Sequence, residues 1–515
     1  MLTTITPAQM KALEDAFMAE YDVPGALLME HAAAGICAAL TRRVGRGTVA
    51  FLCGPGNNGG DGYAAARLWT AQGGRACIVE VTPDVHGDAL TNRRLARMLH
   101  IPCLSAEDTE HLPACDAIVD ALFGTGLSRA VTGDAGWLIR WANACHAAGT
   151  PVIAVDVPSG IDACTGRCLG SEIIRADETV TFHRIKQGLL LEHAPDYTGK
   201  LTVHPILIPE GEEPDLAYDG FSVLEPRDLS GGQLCRQPTW HKGDLGRVVL
   251  FCGSRGMAGA AALCANAAVR AGAGLTSILC RESLLPIVQT LAPSATCVPL
   301  PERDGMLLPA GADRAREALA RADAACIGCG LGLDGDVMPI LRAFARADCP
   351  VVWDADALTL ISRFDDLLPL KEADVITPHP GEAARLLDCT ADAVVHDMPA
   401  ALERLHELCG CTVLLKGARS LITDGISTFC NLHTSPALAK GGSGDVLSGI
   451  ITALLARRFP PAPSERMDSC LAAAYGALIH GLAGIRAARL HGEDAILPGD
   501  IVSAIRLDAS GLDEC

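Results

Sequence analysis

Short apolar runs alternate with helix-length segments through the N-terminal half of the chain. The runs TVAFLC, ACIVEVT, DAIVDALF and VIAVDVP each have the length of one buried strand. Strands that are apolar on both faces need helices on both sides of their sheet. The pattern therefore predicts an α/β domain over 1–215, Rossmann-like, with a parallel sheet between two helical layers.

The same alternation returns in the C-terminal half with other motifs. RVVLFCG leads into a helix of small residues at 257–271, and LTSILC, AACIGC, PVVWDAD, DVITP and CTVLLKG read as further buried strands. SLITDG and STFCNL predict a hairpin. Between the halves, 208–229 is rich in Pro, Gly and acidic residues and has no sustained period. We expect a linker there, with a boundary near 215–235 and a second α/β domain over 225–515.

The length and net charge of the chain limit the kinds of partner that it can be expected to bind. A chain of 515 residues exceeds what one core usually supports, and its 61 acidic against 42 basic side chains give a net charge of −19. That charge argues against nucleic acid or an anionic membrane as the main partner. With no signal-like start and no long uninterrupted apolar stretch, we expect a cytoplasmic protein that binds small molecules and not membranes. A homo-oligomer is the expected assembly.

Most of the 22 cysteines stand alone within apolar runs, where a free thiol acts as a small hydrophobe. Cys326 and Cys329 form the one C-x-x-C pattern. It has no second pair or histidine nearby in sequence, and it overlaps the glycine turn of IGCGLG. The sequence therefore does not favour zinc or redox chemistry there.

A glycine-rich loop precedes an apolar helix in the C-terminal half. Gly441, Gly442 and Gly444 come immediately before residues with helical apolar spacing. Free N–H groups and the helix dipole attract an anion at such a start, and glycines let a phosphate approach closely. Asp445 would be repelled by a phosphate, so it is a candidate base or orienting group for the group that receives or loses the phosphate. The alternative is a helix cap.

In the N-terminal half, the first strand leads into GPGNNGGDGY. Its glycines satisfy G-x-G-x-x-G, with Glu80 about twenty residues further on, so a dinucleotide fingerprint is one interpretation. Asn57, Asn58 and Asp61 supply more polar side chains than a pyrophosphate cradle needs. This excess indicates a site with chemistry of its own.

Two further loops, VDALFGTGLSR and VIAVDVPSGIDACTG, follow strands and should meet the first at one sheet edge. Asn58, Asp120 and Ser159 would then offer hard oxygen ligands, which suit an alkali or alkaline-earth cation better than zinc. Each residue is also common in turns, which is the alternative for each. In the C-terminal half, Asp354 and Asp356 are either paired carboxylates for Mg²⁺ or a strand-end cap pair.

The N-terminal motifs NNGGDG, FGTGLSR and DVPSGIDACTG resemble those of the NAD(P)H-hydrate epimerase family. The resemblance implies that Asp156 is the acid or base at the reacting carbon and that Asn58, Asp120 and Ser159 bind K⁺. It implies a substrate-binding set made of Asp156 and the two loops: Asn57, Asn58, Gly59, Gly60, Asp61, Gly124, Thr125, Gly126, Leu127, Ser128, Arg129 and Ala130.

The C-terminal stretch GGSGD, followed by an apolar helix, resembles the ribokinase-like superfamily. With IGCGLG, VVWDADAL, ITPHPGEAARLL and LLKGARSLITDG in this order, it is similar to the ADP-dependent NAD(P)H-hydrate dehydratases. The resemblance implies a ribokinase-like α/β domain with Asp445 catalytic, and hydrate contacts from Ala260, Gly330, His379 and Asp445. ADP or AMP would be held by Lys416, Gly417, Ala418, Arg419, Ser420 and Gly444.

Together the two resemblances imply a bifunctional repair enzyme for hydrated nicotinamide nucleotides, NADHX and NADPHX. The N-terminal domain would interconvert the R and S hydrates, and the C-terminal domain would dehydrate the S form while ADP becomes AMP and phosphate. K⁺, ADP and Mg²⁺ are the implied cofactors and co-substrate. Two alternatives remain: a small-molecule kinase fused to an inactive nucleotide-binding domain, and a non-catalytic nucleotide sensor.

Overall fold

The chain divides into two units. In the computed structural model one unit is Thr3–Phe221, and the other is Ser222–Cys515 with Met1–Leu2. The structure describes residues 1–106, 114–209, 220–230, 234, 236, 238–458 and 467–508, except for the side chain of Asp365. Residues 210–219 of the predicted linker, and several positions of the predicted boundary near 215–235, lie outside the described residues.

The first unit is built on a parallel sheet. Its strands are β1 (Leu2–Ile5), β2 (Thr48–Cys53), β3 (Arg75–Glu80), β4 (Cys103–Ser105), β5 (Ala117–Ala121), β6 (Val152–Val155), β7 (Glu178–Phe182), β8 (Ile185–Lys186) and β9 (Lys200–His204). The main sheet has the order β4-β3-β2-β5-β6-β7-β9, with every neighbouring pair parallel. The chain builds outward from β2 on one side and then from β5 on the other. The gap between β2 and β5 is therefore a topological switch point, where ligands bind in open α/β sheets.

Helices cover both faces of this sheet. They are α1 (Pro7–Tyr21), α2 (Gly25–Val44), α3 (Asn57–Ala71), α4 (Gly87–Met98), α5 (Gly133–Ala147) and α6 (Pro195–Thr198). Two separate apolar clusters, one on each face, hold the layers together. The predicted three-layer α/β arrangement is confirmed. Its strands match the apolar runs because residues buried on both sides of a sheet are apolar without alternation.

The second unit repeats the plan with a longer, mixed sheet. Its strands are β10 (Ser222–Val223), β11 (Arg247–Phe251), β12 (Leu275–Arg281), β13 (Thr296–Leu300), β14 (Glu302–Arg303), β15 (Met306–Leu307), β16 (Ala324–Ile327), β17 (Val351–Trp353), β18 (Val375–Ile376), β19 (Thr412–Leu415), β20 (Leu421–Thr423) and β21 (Thr428–Cys430). The order β13-β12-β11-β16-β17-β18-β19 is parallel. β20 is antiparallel to both β19 and β21, which confirms the predicted hairpin. The switch point lies between β11 and β16.

The helices of the second unit complete its layers. They are α7 (Ala258–Arg270), α8 (Leu285–Leu291), α9 (Ala310–Leu319), α10 (Met338–Ala345), α11 (Asp356–Ile361), α12 (Pro380–Leu386), α13 (Ala391–His396), α14 (Met398–Cys409), α15 (Ser443–Ala456), α16 (Ser469–His491) and α17 (Pro498–Ser503). Among the described residues, α16 is the one helix long and apolar enough to cross a membrane. Its most apolar window is 83% buried inside the protein, as expected for a core helix.

Candidate functional sites

A cavity of about 480 Å³ lies beyond the carboxyl ends of β2, β5 and β6, at the switch point of the first unit. The loop after β2 and the first turn of α3 form one wall, and the loop after β5 forms another. The residues that line it are Glu14, Pro55, Gly56, Asn57, Asn58, Asp61, Leu122, Phe123, Gly124, Thr125, Gly126, Leu127, Ser128, Arg129, Asp156, Phe182 and Lys186. Most of the loop residues predicted from sequence therefore meet in one place.

Three of the predicted residues have a different place. Gly59 packs so tightly that a Cβ atom on it would lie 2.0 Å from the carbonyl oxygen of Gly54. A Cβ atom on Gly60 would meet the side chain of Met29 at 2.5 Å. Ala130 lies against Gly170. These residues fall outside the set that lines the cavity; the two glycines allow close packing beneath it.

Asp156 is the first residue beyond β6, and its backbone has a left-handed φ of 62°. Its Oδ1 atom lies 2.6 Å from Nζ of Lys186 and accepts a hydrogen bond from Oγ1 of Thr181 at 2.9 Å. Lys186 also donates to the carbonyl oxygen of Phe182 at 2.9 Å. A non-glycine residue in this backbone region is strained, and such strain concentrates at functional positions. The contacts hold one carboxylate oxygen in place and leave the carboxylate facing the cavity.

Two more carboxyl groups share this cavity. Burial raises the pKa of Glu14 to about 7; Lys186 lowers it, and Asp156 raises it further. Burial also raises the pKa of Asp61 well above its usual range, with added repulsion from Asp156 and Glu14. Three carboxyl groups beside one ammonium group cannot all ionise easily. Glu14 had no sequence signal, since it lies on an ordinary amphipathic helix far from every motif.

Of the three predicted potassium ligands, Asn58 lines the cavity, and Asp120 and Ser159 lie just below it. Asp120 and Ser159 are fully buried, and the Oγ atom of Ser159 donates to Oδ1 of Asp120 at 2.7 Å. Burial raises the pKa of Asp120 to about 6, and hydrogen bonds from Ser159 and Leu122 lower it. Asn58 lies against Gly124, and its Nδ2 atom is buried and has no hydrogen-bond partner in the part of the chain that the structure describes.

These residues fit a large monovalent cation. Among the described residues, the groups that donate hydrogen bonds to Asp120 are neutral: the hydroxyl and N–H of Ser159 and the N–H of Leu122. The buried carboxylate therefore has no cationic partner within this part of the chain. Amide, hydroxyl and carboxylate oxygens are ligands for hard cations. The unpaired amide of Asn58 belongs to the same corner, and its oxygen and nitrogen can exchange places by a rotation.

Glu80, the acidic residue of the dinucleotide interpretation, is occupied elsewhere. Both of its carboxylate oxygens accept bonds from Arg93 on α4, at 2.6 to 3.0 Å, and the pair is buried. A carboxylate in a buried bidentate ion pair is not free to bind a ribose hydroxyl. The dinucleotide interpretation therefore lacks its acidic residue, and the glycines after β2 belong to the NNGGDG turn.

In the second unit, a buried carboxylate stands at the end of β17. Asp354 pairs with Nζ of Lys416 at 2.8 Å and accepts a bond from Oγ of Ser448 at 2.7 Å. Burial lowers the pKa of Lys416, but Asp354 and Glu382 more than offset this and leave it raised. Asp356 instead accepts the N–H of Gly332 at 2.8 Å. The two aspartates thus have separate partners.

The predicted glycine loop does lead into a helix. Gly442 is the N-cap of α15 with a φ of 97°, and Asp445 is the third residue of the first turn. Burial raises the pKa of Asp445 to about 8, and the neighbouring Cys329 and Asp354 raise it further. A Cβ atom on Gly444 would lie 3.4 Å from Nζ of Lys416. The loop, Lys416 and Asp445 therefore belong to one site.

Four other predicted residues of the second unit have identifiable neighbours. Gly330 touches Ala260, because a Cβ atom on this glycine would meet that of Ala260 at 2.8 Å. His379 caps α12: its Nδ1 atom accepts the N–H of Gly381, and its Nε2 atom lies 3.2 Å from Glu382. Arg419 lies partly buried after β19 and donates to the carbonyl oxygen of Leu432. Glu382, which raises the pKa of Lys416, links His379 to the central cluster.

Two parallel-sheet units, each with carboxyl groups gathered beyond its strand ends, define a two-site α/β enzyme for small molecules. Residues 248–507 match the family model described as NAD(P)H-hydrate dehydratase, and residues 25–188 match the one described as YjeF-related protein N-terminus. The chain belongs to the family of bifunctional NAD(P)H-hydrate repair enzymes. Its function is nicotinamide nucleotide repair, with epimerase and dehydratase activities in one chain.

Relatives cover nearly the whole length. The bifunctional NAD(P)H-hydrate repair enzyme of Moorella thermoacetica is 34% identical, over 99% of this chain and 97% of its own. The Escherichia coli K12 enzyme of the same name is 37% identical, over 88% and 84%. A solved structure of the ADP/ATP-dependent NAD(P)H-hydrate dehydratase from Bacillus subtilis is 25% identical, over 54% of this chain and 94% of its own, with a TM-score of 0.46.

Proposed function

We propose that the cavity of the first unit is the epimerase site and that Asp156 is its acid or base. Lys186 and Thr181 hold Oδ1 of Asp156, so the carboxylate is oriented before the substrate arrives. A general base must lie within hydrogen-bond reach of the proton that it moves, and Asp156, which directly follows β6, lines the cavity. The hydrated nucleotide would occupy the loops of residues 57–61 and 124–130.

We propose K⁺ as the cation at Asn58, Asp120 and Ser159. When bound, the ion would supply positive charge beside the cavity for the phosphates of the nucleotide. The chain itself positions Asp120 through the N–H and Oγ of Ser159, at 2.8 and 2.7 Å. Ser159 also accepts the N–H of Phe123 at 2.9 Å, which fixes the start of the substrate loop.

In the second unit, Asp445 would act on the 6-hydroxyl of the S hydrate. Hydroxide is a poor leaving group and phosphate is a good one, so transfer of a phosphoryl group from ADP to this oxygen, with release of AMP, prepares the elimination. Asp445 accepts the hydroxyl proton as the oxygen attacks. Its raised pKa, about 8, matches a base that works near neutral pH. Loss of phosphate from C6 and of a proton from C5 to solvent then restores the 5,6 double bond of the nicotinamide ring.

Residues 416–420 and Gly444 would hold ADP or AMP, and Ala260, Gly330 and His379 would contact the hydrate. Lys416 is already oriented by Asp354, which is fixed in turn by Ser448. Since Asp354 is engaged in this way, we propose that Mg²⁺ arrives on the nucleotide phosphates and not in a protein cage. We also propose that the epimerase domain is 1–215 and the dehydratase domain 225–515, in a cytoplasmic homo-oligomer.

The observation that carries the assignment is the separation of two carboxylates, Asp156 and Asp445, into two sites with different surroundings. The test is to incubate mixed R and S hydrates with and without ADP and to follow the near-ultraviolet absorbance of the reduced nicotinamide. We expect the absorbance of the reduced nicotinamide to recover fully only with ADP. Recovery that stops when the S form is consumed would refute the epimerase, and a phosphorylated hydrate that accumulates without elimination would refute the dehydratase.

A further inference from the structure

Four cysteine side chains meet in the core of the second unit, at its switch point. They are Cys252, Cys264, Cys326 and Cys329, and their Sγ atoms all lie within 4.8 Å of one another. Each residue is buried, with at most a trace of exposed surface. The second pair, which the local sequence around Cys326 and Cys329 lacks, comes from residues more than sixty positions earlier.

Rigid elements present these thiols. Cys252 directly follows β11, Cys326 belongs to the neighbouring strand β16, and Cys264 comes from α7, which packs against β11. Cys329 is in the turn after β16, and its carbonyl oxygen accepts the N–H of Gly253 at 2.8 Å. Because the backbone is fixed by sheet and helix hydrogen bonds, the four sulfur atoms converge without a flexible loop.

We propose that these four cysteines bind one zinc ion through their sulfur atoms. A tetrahedral zinc ion with bonds of about 2.3 Å holds its thiolates about 3.8 Å apart, so the present spacing needs a contraction of less than about 1 Å. Cys264 and Cys326 are already 4.0 Å apart. An iron–sulfur cluster would push the four sulfur atoms further apart than this, because several metal ions and sulfides lie between them.

Zinc binding would release the four thiol protons to solvent, leaving four Zn–S bonds and no change in oxidation state. Ordinary buried cysteines act as hydrophobes and have no reason to converge on one point.

The proposed ion would be structural. It has four protein ligands and no open position, and it lies behind the dehydratase site: Sγ of Cys329 is 3.9 Å from Oδ2 of Asp354. It would tie α7 to the two strands beside the switch point. α7 in turn packs closely on α15, since a Cβ atom on Gly449 would meet the carbonyl oxygen of Cys264 at 2.2 Å. This inference does not depend on which reaction the site performs.

The first measurement uses the intact, unmodified chain, purified under reducing conditions. Metal analysis should find about one zinc ion per chain. After removal of zinc with a chelator, added Co²⁺ should produce the visible bands and the sulfur-to-cobalt ultraviolet absorption of a tetrahedral tetrathiolate. A chain that neither carries zinc nor takes up zinc or cobalt with these properties would overturn the proposal without any variant.

The second measurement compares two single substitutions in the second unit. Cys264→Ala removes one ligand from an alanine-rich helix, where alanine is well tolerated, and Cys409→Ala removes a buried cysteine outside the cluster. We expect zinc content to fall from about one ion per chain to background in Cys264→Ala and to stay at about one in Cys409→Ala. Equal zinc content and an equal cobalt spectrum in both variants would place the metal elsewhere and refute the assignment.

Discussion

Lys186 and Asp156 form an ion pair at 2.6 Å in which the lysine side chain is 1% exposed and the aspartate 14%. The lysine belongs to the short strand β8, whereas the aspartate follows β6, so the pair also fixes the distance between two elements of the first unit. A buried ammonium group is costly without a partner, and this one has a single carboxylate within bonding distance among the described contacts. The pair therefore serves both the site and the fold.

Asp156→Asn should stop the interconversion of R and S hydrates. The amide keeps the size of the side chain but cannot accept and return a proton, so we expect epimerisation to fall by about 10² to 10⁴. Dehydration of pure S hydrate with ADP should be unchanged, because Asp445 and Lys416 belong to the other unit. Chiral chromatography of the hydrates measures the first rate. Asp196→Asn, at an exposed position of the same unit, is the control, and normal epimerisation by Asp156→Asn would contradict the role.

Lys186→Met should destabilise the first unit more than the double substitution Lys186→Met with Asp156→Asn. The single change leaves a carboxylate without its cation and costs about 3 to 5 kcal/mol, while the double change removes both charges. Denaturant unfolding of the two variants and of the wild type gives the comparison. If the single and the double variants unfold at the same midpoint, the ion pair does not set the stability of this region.

Glu14 predicts a pH dependence of stability. Its pKa is about 7 in the folded protein and near 4.5 for the unfolded carboxyl group, so the folded state binds the proton more tightly. The contribution of Glu14 to the free energy of unfolding is fully present below about pH 4.5 and is lost as the pH rises through about 7. The free energy of unfolding of Glu14→Gln should therefore rise by about 1 to 3 kcal/mol relative to that of the wild type between about pH 5 and about pH 8. Glu20→Gln, exposed on the same helix, should follow the wild-type curve; if Glu14→Gln follows it as well, the raised pKa is wrong.

Potassium should matter for the first unit only. Replacement of K⁺ by tetramethylammonium should weaken nucleotide binding and epimerisation and leave dehydration of the S hydrate unchanged. Asn58→Ala removes one oxygen ligand and should raise the K⁺ concentration for half-activation by about tenfold or more. Zinc should not replace potassium at these oxygen ligands. An unchanged potassium response in the Asn58 variant would remove this residue from the ligand set.

Asp445→Asn should abolish dehydration yet retain ADP. We expect turnover to fall by about 10² to 10⁴. Titration calorimetry above about pH 8, where the Asp445 carboxyl group of the wild type is ionised, should show ADP affinity equal to or above that of the wild type, because a negative charge near the phosphates is gone. The capping alternative is disfavoured by Gly442, which holds the N-cap position of α15. Asp468→Asn provides the matched control, since Asp468 is a true cap that accepts the N–H groups of Cys470 and Leu471. Full activity in Asp445→Asn would refute the catalytic role.

The general plan of both units follows from the sequence because buried parallel strands leave a direct signal. Apolar runs marked the strands, and the rule that loops beyond their carboxyl ends share one edge brought Asn58, Thr125 and Asp156 together before any contact was known. In the second unit, Gly444 of the predicted glycine loop lies beside Lys416, which follows β19. Local chemistry and the position of each loop directly after a strand were sufficient for these residues.

Other features depend on contacts that no local pattern encodes. Glu14 reaches the cavity of the first unit from α1, and Glu382 reaches Lys416 from α12, each on an ordinary helix. The group formed by Cys252 and Cys264 with the C-x-x-C pair arises because β11 and β16 are neighbours although many residues separate them in the chain. Such sites become visible only when the order of the strands is known.

The buried helix α16 has a consequence for the synthesis of the protein. A newly made segment of this length and apolarity resembles a membrane span to the machinery that inserts them, and it stays hidden only while it is packed in the core. Of its neighbours, α15, β19 and β20 precede it in the chain and leave the ribosome before it does, and α17 follows it. The helix can therefore pack against α15, β19 and β20 as soon as it is synthesised. Early packing shortens the time in which the exposed helix could aggregate or be inserted into a membrane.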